Sequence, residues 1–303
     1  MTGVFPSEKN ERERTQFLTK ETKIMNDGWR RPTPEGVGEP DAWKGGTIMA
    51  SDVIQSVDRA LEVLIYLYYE GKETSITKIA NDMGVYKSTV FRTLATLEAR
   101  GFVKKNPETE KYWLGSRLFT LGKAVENKMG LQEIIRPYAR KLYEAYHEVV
   151  NVSILERNPG DVYRSVIILK EESPNQVLTV NPPVGSSSEC HCSSVGKCLL
   201  AFGSKIDLSV YENVSLTAHT AHTITSADAL RAELAKIRSD GYAVDREELE
   251  MGLTCIGAPI LDRSGVALAA ISLSGPTSRM LAGDLDERVE AVRRIAREIS
   301  NNF

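Results

Sequence analysis

From Val53 onward the chain takes on a helical rhythm. Val57, Leu61, Leu64, Ile65 and Tyr68 recur at intervals of three and four, and Gly71 stops the run. A shorter helix is predicted next, with Ser75 as its N-cap, Ile76, Ile79, Ala80 and Met83 as apolar positions and Gly84 as terminator. In "VYKSTVFRTLATLEARG", Val85, Val90, Leu94 and Leu97 fall on one side of a third helix closed by Gly101. Two short extended pieces, "FVKK" and "KYWL", are joined by "NPETE", which predicts a hairpin with Pro107 in its turn. "GSRLFTLGKAVENKM" is amphipathic again and long enough to link two domains.

Between residues 149 and 273 the period changes to extended runs separated by turns. "VVNVSILER" turns at Pro159-Gly160-Asp161 into "VYRSVIILK", "QVLTV" stops at Pro182-Pro183, and "TCIGAPILD" turns at Arg263-Ser264-Gly265 into "VALAAISLS". Helices are expected at Ala227–Ser239 and Leu285–Ser300. Strands dominate without repeating βαβ units, so the expectation is an α+β protein with an antiparallel sheet. Residues 1–48 follow neither period and contain "RRPTPEGVGEPDAWKGG", which reads as a disordered tail. Lys44-Gly45-Gly46 can also be encoded by a ribosome-binding sequence just ahead of the Met49 codon, so this segment is alternatively untranslated. The boundaries drawn are 1–50 for the extension, 51–115 and 116–129 for the first domain and its linker helix, and 130–303 for the second domain.

Composition narrows the class. A chain of 303 residues has room for two cores, and 42% apolar with 26% charged residues is ordinary for a soluble globular protein. No apolar run reaches membrane-spanning length, and four irregularly spaced cysteines give no disulfide framework, so a reducing cytoplasm is expected. The net charge of −3 hides an asymmetry: residues 51–128 hold 12 Lys/Arg against 10 Asp/Glu, and residues 129–303 hold 18 against 23. Within 84–117 the count is 7 against 3, a local basic patch suited to a polyanion.

Three helices with a tight Gly turn between the second and third, followed by a two-stranded wing, follow the winged helix-turn-helix plan. With the apolar side of the third helix facing inward, Lys87, Ser88, Thr89, Phe91 and Arg92 face outward near its start. Short hydroxyls and a lysine there can approach phosphates and base edges, Arg92 can fork onto a guanine, and Phe91 can meet a thymine methyl. Ser75 joins this candidate DNA-binding set, as do Lys104, Lys105 and Lys111 on the wing. Charge alone would favour a solvated face; the helix-turn-helix pattern with its basic wing tips the reading to double-stranded DNA.

The segments "SVDRALEVLIYL", "ITKIANDMGVYKSTVFRTLATLEARGFV" and "KYWLGSRLFTLG" resemble the DNA-binding half of the isocitrate lyase regulator (IclR) family. "GKCLLAF", "ELAKIRSDGYAVDREELEMGLTCIGAPILDRSG" and "AAISLSGPTSR" resemble its effector-binding half, in the same order, from about Ser51 to the end of the chain. The resemblance implies a GAF- or profilin-like sheet that closes over a small ligand, and a homodimer through the N-terminal domains that can assemble into a homotetramer. The tyrosines of "IYLYYEG" and the apolar face of residues 114–128 are available for that contact, and a dimer implies a palindromic operator.

Three of the four cysteines and one histidine crowd into "ECHCSSVGKCLLAFG". Here Ser193, Ser194 and Val195 lie at the expected N-terminus of a helix, where free N–H groups can seat a carboxylate. The resemblance places Ser194 and Val195 in the effector pocket, with Ser188 and Cys190 on an approach strand, and adds Asp245, Leu253 and Cys255. Small apolar residues are more usual where this chain has Cys192, Ser194 and Cys198, which implies a more polar pocket. Two alternatives stand beside the pocket: a metal- or redox-sensing cluster of Cys190, Cys192 and Cys198, and an enzyme acting on a small acid through Asp245 and Cys255. On a strand, Cys190 and Cys192 would point one way and His191 the other, which disfavours both a metal set and a Cys–His pair. No cofactor is expected.

Overall fold

A computed structural model describes residues 54–157, 162–173, 182–212 and 214–303. The expected tail at 1–50, the turn at Pro159–Asp161 and the "QVLTV" strand lie outside the described residues. The chain divides into two compact units whose boundary falls between Val125 and Glu126.

In the first unit, helix α1 (Gln55–Glu70) ends at Gly71, whose positive φ of 63° reverses the chain. Its core side is Val63, Tyr66 and Leu67, whereas Val57, Leu61, Ile65 and Tyr68, four of the five positions that set its period, stand exposed. The helix is apolar on two sides, and periodicity located it without deciding which side would pack. The Tyr66 hydroxyl donates to Asp82 at 2.7 Å, and Lys78 bonds Asp82 and Glu70, which fastens α1 to α2 (Ile76–Asp82). Helix α3 (Lys87–Ala99) buries Val90, Leu94 and Leu97 as its spacing predicts. Strands β1 (Val103–Lys105) and β2 (Tyr112–Leu114) form the antiparallel wing. Asn106 and Thr109 in its turn both donate to Glu73, fixing the turn to the loop before α2. Helix α4 (Ser116–Met129) buries no side chain and leaves Phe119, Leu121 and Val125 exposed.

The second unit opens with α5 (Leu131–Tyr146), a helix the sequence reading did not single out. Among the described residues six antiparallel strands follow: β3 (Val149–Glu156), β4 (Arg164–Glu171), β5 (Ser187–Glu189), β6 (Ala243–Arg246), β7 (Leu253–Leu261) and β8 (Ala267–Pro276), in the spatial order β5-β4-β3-β8-β7-β6. On one face, Val150, Val152, Ile256, Ala258, Ile271 and Leu273 pack with α5 and with α9 (Leu285–Ser300). The opposite face supports α6 (Ser194–Phe202) and α7 (Ala227–Asp240), whose core includes Leu199, Leu200, Leu230, Leu234 and Ile237. A short helix, α8 (Thr277–Met280), links β8 toward α9.

One local expectation is corrected. Cys190–Cys192 is a 3-10 turn, so the alternating directions expected of a strand do not apply; β5 stops at Glu189. The turn is forced by the tight entry into α6. A Cβ on Gly196 would stand 2.5 Å from the Cys190 Cα, so the second residue after Ser194 has no room for a side chain. Gly196→Ala should therefore destabilise the second unit by about 1–3 kcal/mol through overpacking. Gly122→Ala, where a Cβ meets nothing within 4 Å, should stabilise by up to ~1 kcal/mol through helix propensity. Urea unfolding followed by circular dichroism separates the two outcomes.

Candidate functional site

The first candidate site is the exposed side of α3. Gly84, with φ 63°, makes the turn from α2, and Tyr86 is the N-cap of α3. Lys87, Ser88, Phe91 and Arg92 are exposed and Thr89 is half-buried, so one face carries most of the expected base-reading set. Neither Lys87 nor Arg92 makes an ion pair among the described residues. The Ser75 hydroxyl instead accepts the Lys78 N–H at 3.3 Å, giving it a capping role. On the wing, Lys104 and Lys111 are exposed, while Lys105 is paired with Glu110 at 2.7 Å, which offsets its charge. The sequence reading passed over Tyr86, although its ring is 84% exposed.

The second candidate site lies where α6 meets the sheet. Ser193 caps α6 by accepting the Gly196 N–H, and its carbonyl accepts from Lys197, leaving the Ser194 and Val195 N–H groups without a helical acceptor. Gly257 on β7 lets this end approach: a Cβ there would lie 2.9 Å from the Ser194 carbonyl carbon. Cross-strand pairing sets Asp245 beside Cys255, Cys255 beside Ser274, and Ser272 between Gly257 and Asn151. Strand alternation turns Asn151, Ser153, Cys255, Ser272 and Ser274 to the α6 side, because Val150, Val152, Ile256, Ile271 and Leu273 face α5 and α9. Ser272 and Ser274 bring their hydroxyl oxygens within 3.2 Å. Asn151 Oδ1 and Ser153 Oγ are buried with no hydrogen-bond partner among the described residues. An unmet buried polar atom costs about 1–3 kcal/mol, so this row is where a polar ligand or water would be held.

The remaining expected residues are spread around this centre. Ser188 is half-buried, 3.2 Å from the Ser165 hydroxyl. Leu253 is buried opposite Pro276. Cys190 is fully buried in the apolar cluster of Tyr163, Leu199 and Leu230, against the back of α6. Asn151, Ser153, Ser272 and Ser274 were missed, although "VVNVSILE" and "AAISLSG" carry the signal: a polar residue at every second position of an otherwise apolar strand.

Beneath α6, Lys197 is wholly buried, and its Nζ donates to Glu248 at 2.5 Å, the Val244 carbonyl at 3.0 Å and Glu233 at 3.2 Å. Burial pulls this lysine's pKa down, but the two carboxylates outweigh it and hold it above the ordinary value. Asp245 Oδ1 accepts the Glu248 N–H at 2.7 Å, bracing the turn that carries Glu248. Burial pushes the Asp245 carboxyl up to about 7, with the Glu248 N–H opposing.

The cysteine chemistry is unfavourable to the alternatives. Burial raises the thiols of Cys190, Cys192 and Cys255 well above the usual range and that of Cys198 to about 12, so none is an activated thiolate. His191 lies with Nε2 3.2 Å from the Thr217 carbonyl, and burial lowers its pKa. Among the described residues no group of three or more His, Cys, Asp or Glu is placed to hold a metal ion.

Comparison with known proteins gives a consistent picture. Residues 56–107 match the IclR helix-turn-helix domain, and residues 123–301 match the family described as bacterial transcriptional regulator IclR C-terminal. The chain is 36% identical over 279 residues to the HTH-type transcriptional regulator BhcR of Paracoccus denitrificans, covering 92% of this chain and 94% of that protein. It is 30% identical over 255 residues to the transcriptional repressor IclR of Escherichia coli K12, covering 84% and 92%. The structure of an IclR homologue from Microbacterium hydrocarbonoxydans complexed with 4-hydroxybenzoate has the same fold, with a TM-score of 0.68 and 23% identity over 82% of this chain and 98% of that one.

Asp245 gives the second site a pH signature. Its folded pKa of about 7 lies above the ordinary 3.8, so the associated stability is fully present below about pH 4 and is lost as pH rises toward 7. Asparagine can still accept the Glu248 N–H and carries no charge. Asp245→Asn should therefore gain about 2–3 kcal/mol relative to the parent between pH 5 and pH 8, read from urea midpoints at the two pH values. An equal difference at both would place the Asp245 proton elsewhere.

Proposed function

The chain belongs to the IclR family of bacterial transcriptional regulators, and we propose that a small hydrophilic carboxylic acid bound at the second site controls the affinity of its helix-turn-helix domain for an operator. The observation that carries this reading is the buried polar row of Asn151, Ser153, Ser272 and Ser274 beside the uncapped Ser194 and Val195 N–H groups. The N–H pair seats the carboxylate. Hydroxyls and an amide on the floor favour a compact acid with further oxygens over an apolar one. At neutral pH a partly protonated Asp245 admits an anion nearby, whereas a fully ionised carboxylate would repel it. The Microbacterium homologue, complexed with 4-hydroxybenzoate, is an example of the shared fold holding an acid with a second polar group.

On the DNA side, α3 enters the major groove, Arg92 forks onto a guanine, and Lys104 and Lys111 of the wing lie along phosphates. Exposed Val57, Leu61, Ile65 and Tyr68 on α1, with Phe119 and Val125 on α4, supply apolar surface for a homodimer, so the operator is palindromic. No helix among the described residues is long and apolar enough to cross a membrane, in keeping with action on DNA in the cytoplasm.

Two experiments test this. Arg92→Ala should cost about 1–3 kcal/mol on the operator and relax base preference at one position, whereas Lys104→Ala should weaken all duplexes alike; quantitative band shifts on operator and random DNA read both. For the ligand, a panel of small acids and their neutral amides is screened by thermal shift. An acid at about 100 times its Kd should stabilise the parent by about 2.7 kcal/mol and leave Ser194→Asp unmoved. Equal shifts from the amides, or in the variant, would remove the carboxylate seat.

A further inference from the structure

Tyr86 is the most exposed large aromatic or aliphatic side chain among the described residues, at 84%, and Phe91 follows on the same helix at 56%. Neither packs in the first unit's core, which is formed by Val63, Leu67, Ile79, Val90 and Leu94. Tyr86 also gives up local stability. It is the N-cap of α3 and its side chain caps nothing, where Ser or Asp would add a capping hydrogen bond. The surroundings are cationic and free: Lys87 lies between the two aromatics and Arg92 beside Phe91, and neither is ion-paired among the described residues.

Only one base edge in the major groove presents an apolar group, the C5 methyl of thymine. We infer that Tyr86 and Phe91 are specificity-determining residues that each pack on a thymine methyl, so that each operator half-site carries two thymines in contact with α3. The inference rests on α3 being the reading helix. An ionic face of Lys87 and Arg92 draws the duplex in, and two aromatic faces between and beside the cations then reward methylated steps. Burying one methyl against a ring contributes about 0.8 kcal/mol, close to a fourfold change in affinity.

The experiment uses the full chain to select duplexes from a randomised pool, then replaces each thymine of the selected sequence by deoxyuridine, which removes only the methyl. The parent protein should lose about fourfold at two thymines per half-site. Tyr86→Ser should abolish one penalty and Phe91→Ser the other, while Tyr86→Phe keeps both, because the ring and not the hydroxyl makes the contact. Penalties that persist in the Ser variants overturn the inference, as does a uniform loss on every duplex or a selected half-site without thymine. A change in sedimentation of the DNA-free Tyr86→Ser protein would assign the ring to self-association instead. Selection that enriches no sequence would remove the reading role of α3 itself, an outcome distinct from enrichment followed by insensitivity to deoxyuridine.

Discussion

A single ammonium group organises the second unit of the molecule. Lys197 Nζ, buried at the centre of α6, is shared by Glu233 on α7, the Val244 carbonyl on β6 and Glu248 in the turn after β6. Asp245 braces that same turn by accepting the Glu248 N–H. Helix α6 is thus pinned at one point to a stretch 36 to 51 residues further along the chain, which helps set its N-terminus over Gly257. The ion set is not the most stable filling of this space. Desolvating it costs several kcal/mol, and apolar groups of equal volume could pack as well. Its value is positional: oil does not specify where α6 begins, whereas a lysine with three acceptors does. Because removing the cation would strand Glu248 and Glu233, the arrangement is also hard to alter one residue at a time.

The two faces of the sheet divide the work. The α5–α9 face is mainly apolar, with Glu171 paired to Arg136 and Arg140 of α5, and supplies the rigid support. On the α6 face, hydroxyls and an amide alternate along β3 and β8; the helix reaches β7 because Gly257 lacks a Cβ, and it folds back on the Cys190 turn because Gly196 does. The charge distribution separates the halves in the same spirit. Residues 129–303 hold 23 acidic against 18 basic side chains, so polyanion contact is left to the excess of cations at 84–117, 7 against 3.

How much of this was legible in the sequence follows from which signals are local. The spacing of Val90, Leu94 and Leu97 alone fixed the buried side of α3, because a short amphipathic helix has one apolar face. The α9 boundaries, Leu285 and Ser300, came from the same signal. The packed side of α1 was not legible because both its faces are apolar, and the choice between them depends on Tyr66 reaching Asp82, 16 residues away. The 3-10 turn at Cys190–Cys192 was read as strand because its cause, the closeness of Gly196 to Cys190, exists only once α6 is seated. The α6 N-terminus was legible from its serines. The floor beneath it was not, since Asn151 and Ser272 meet across strands 121 positions apart and each alone looks like an ordinary polar residue in a strand. Lys197 carried no local signal of burial for the same reason: Glu233 and Glu248 become its partners only through the fold.

These features bound what an effector can accomplish. A ligand shifts a regulator only through the difference in its affinity for two states, and that difference must come from groups whose satisfaction changes. Asn151 Oδ1 and Ser153 Oγ, each lacking a partner, offer about 1–3 kcal/mol apiece when a ligand meets them. Part of that return is needed to order the ligand, so on the proposed reading the coupling to DNA affinity would fall in the ordinary allosteric range of about 1–3 kcal/mol, or 5- to 150-fold. A response of that size is graded. It suits a regulator that tracks the concentration of a metabolite near its dissociation constant, and reciprocity requires that operator DNA change the affinity for the acid by the same factor. The unsatisfied polar floor and the buried lysine are then two sides of one design: the ion set holds the helix end still, and the orphaned atoms leave the ligand something to gain.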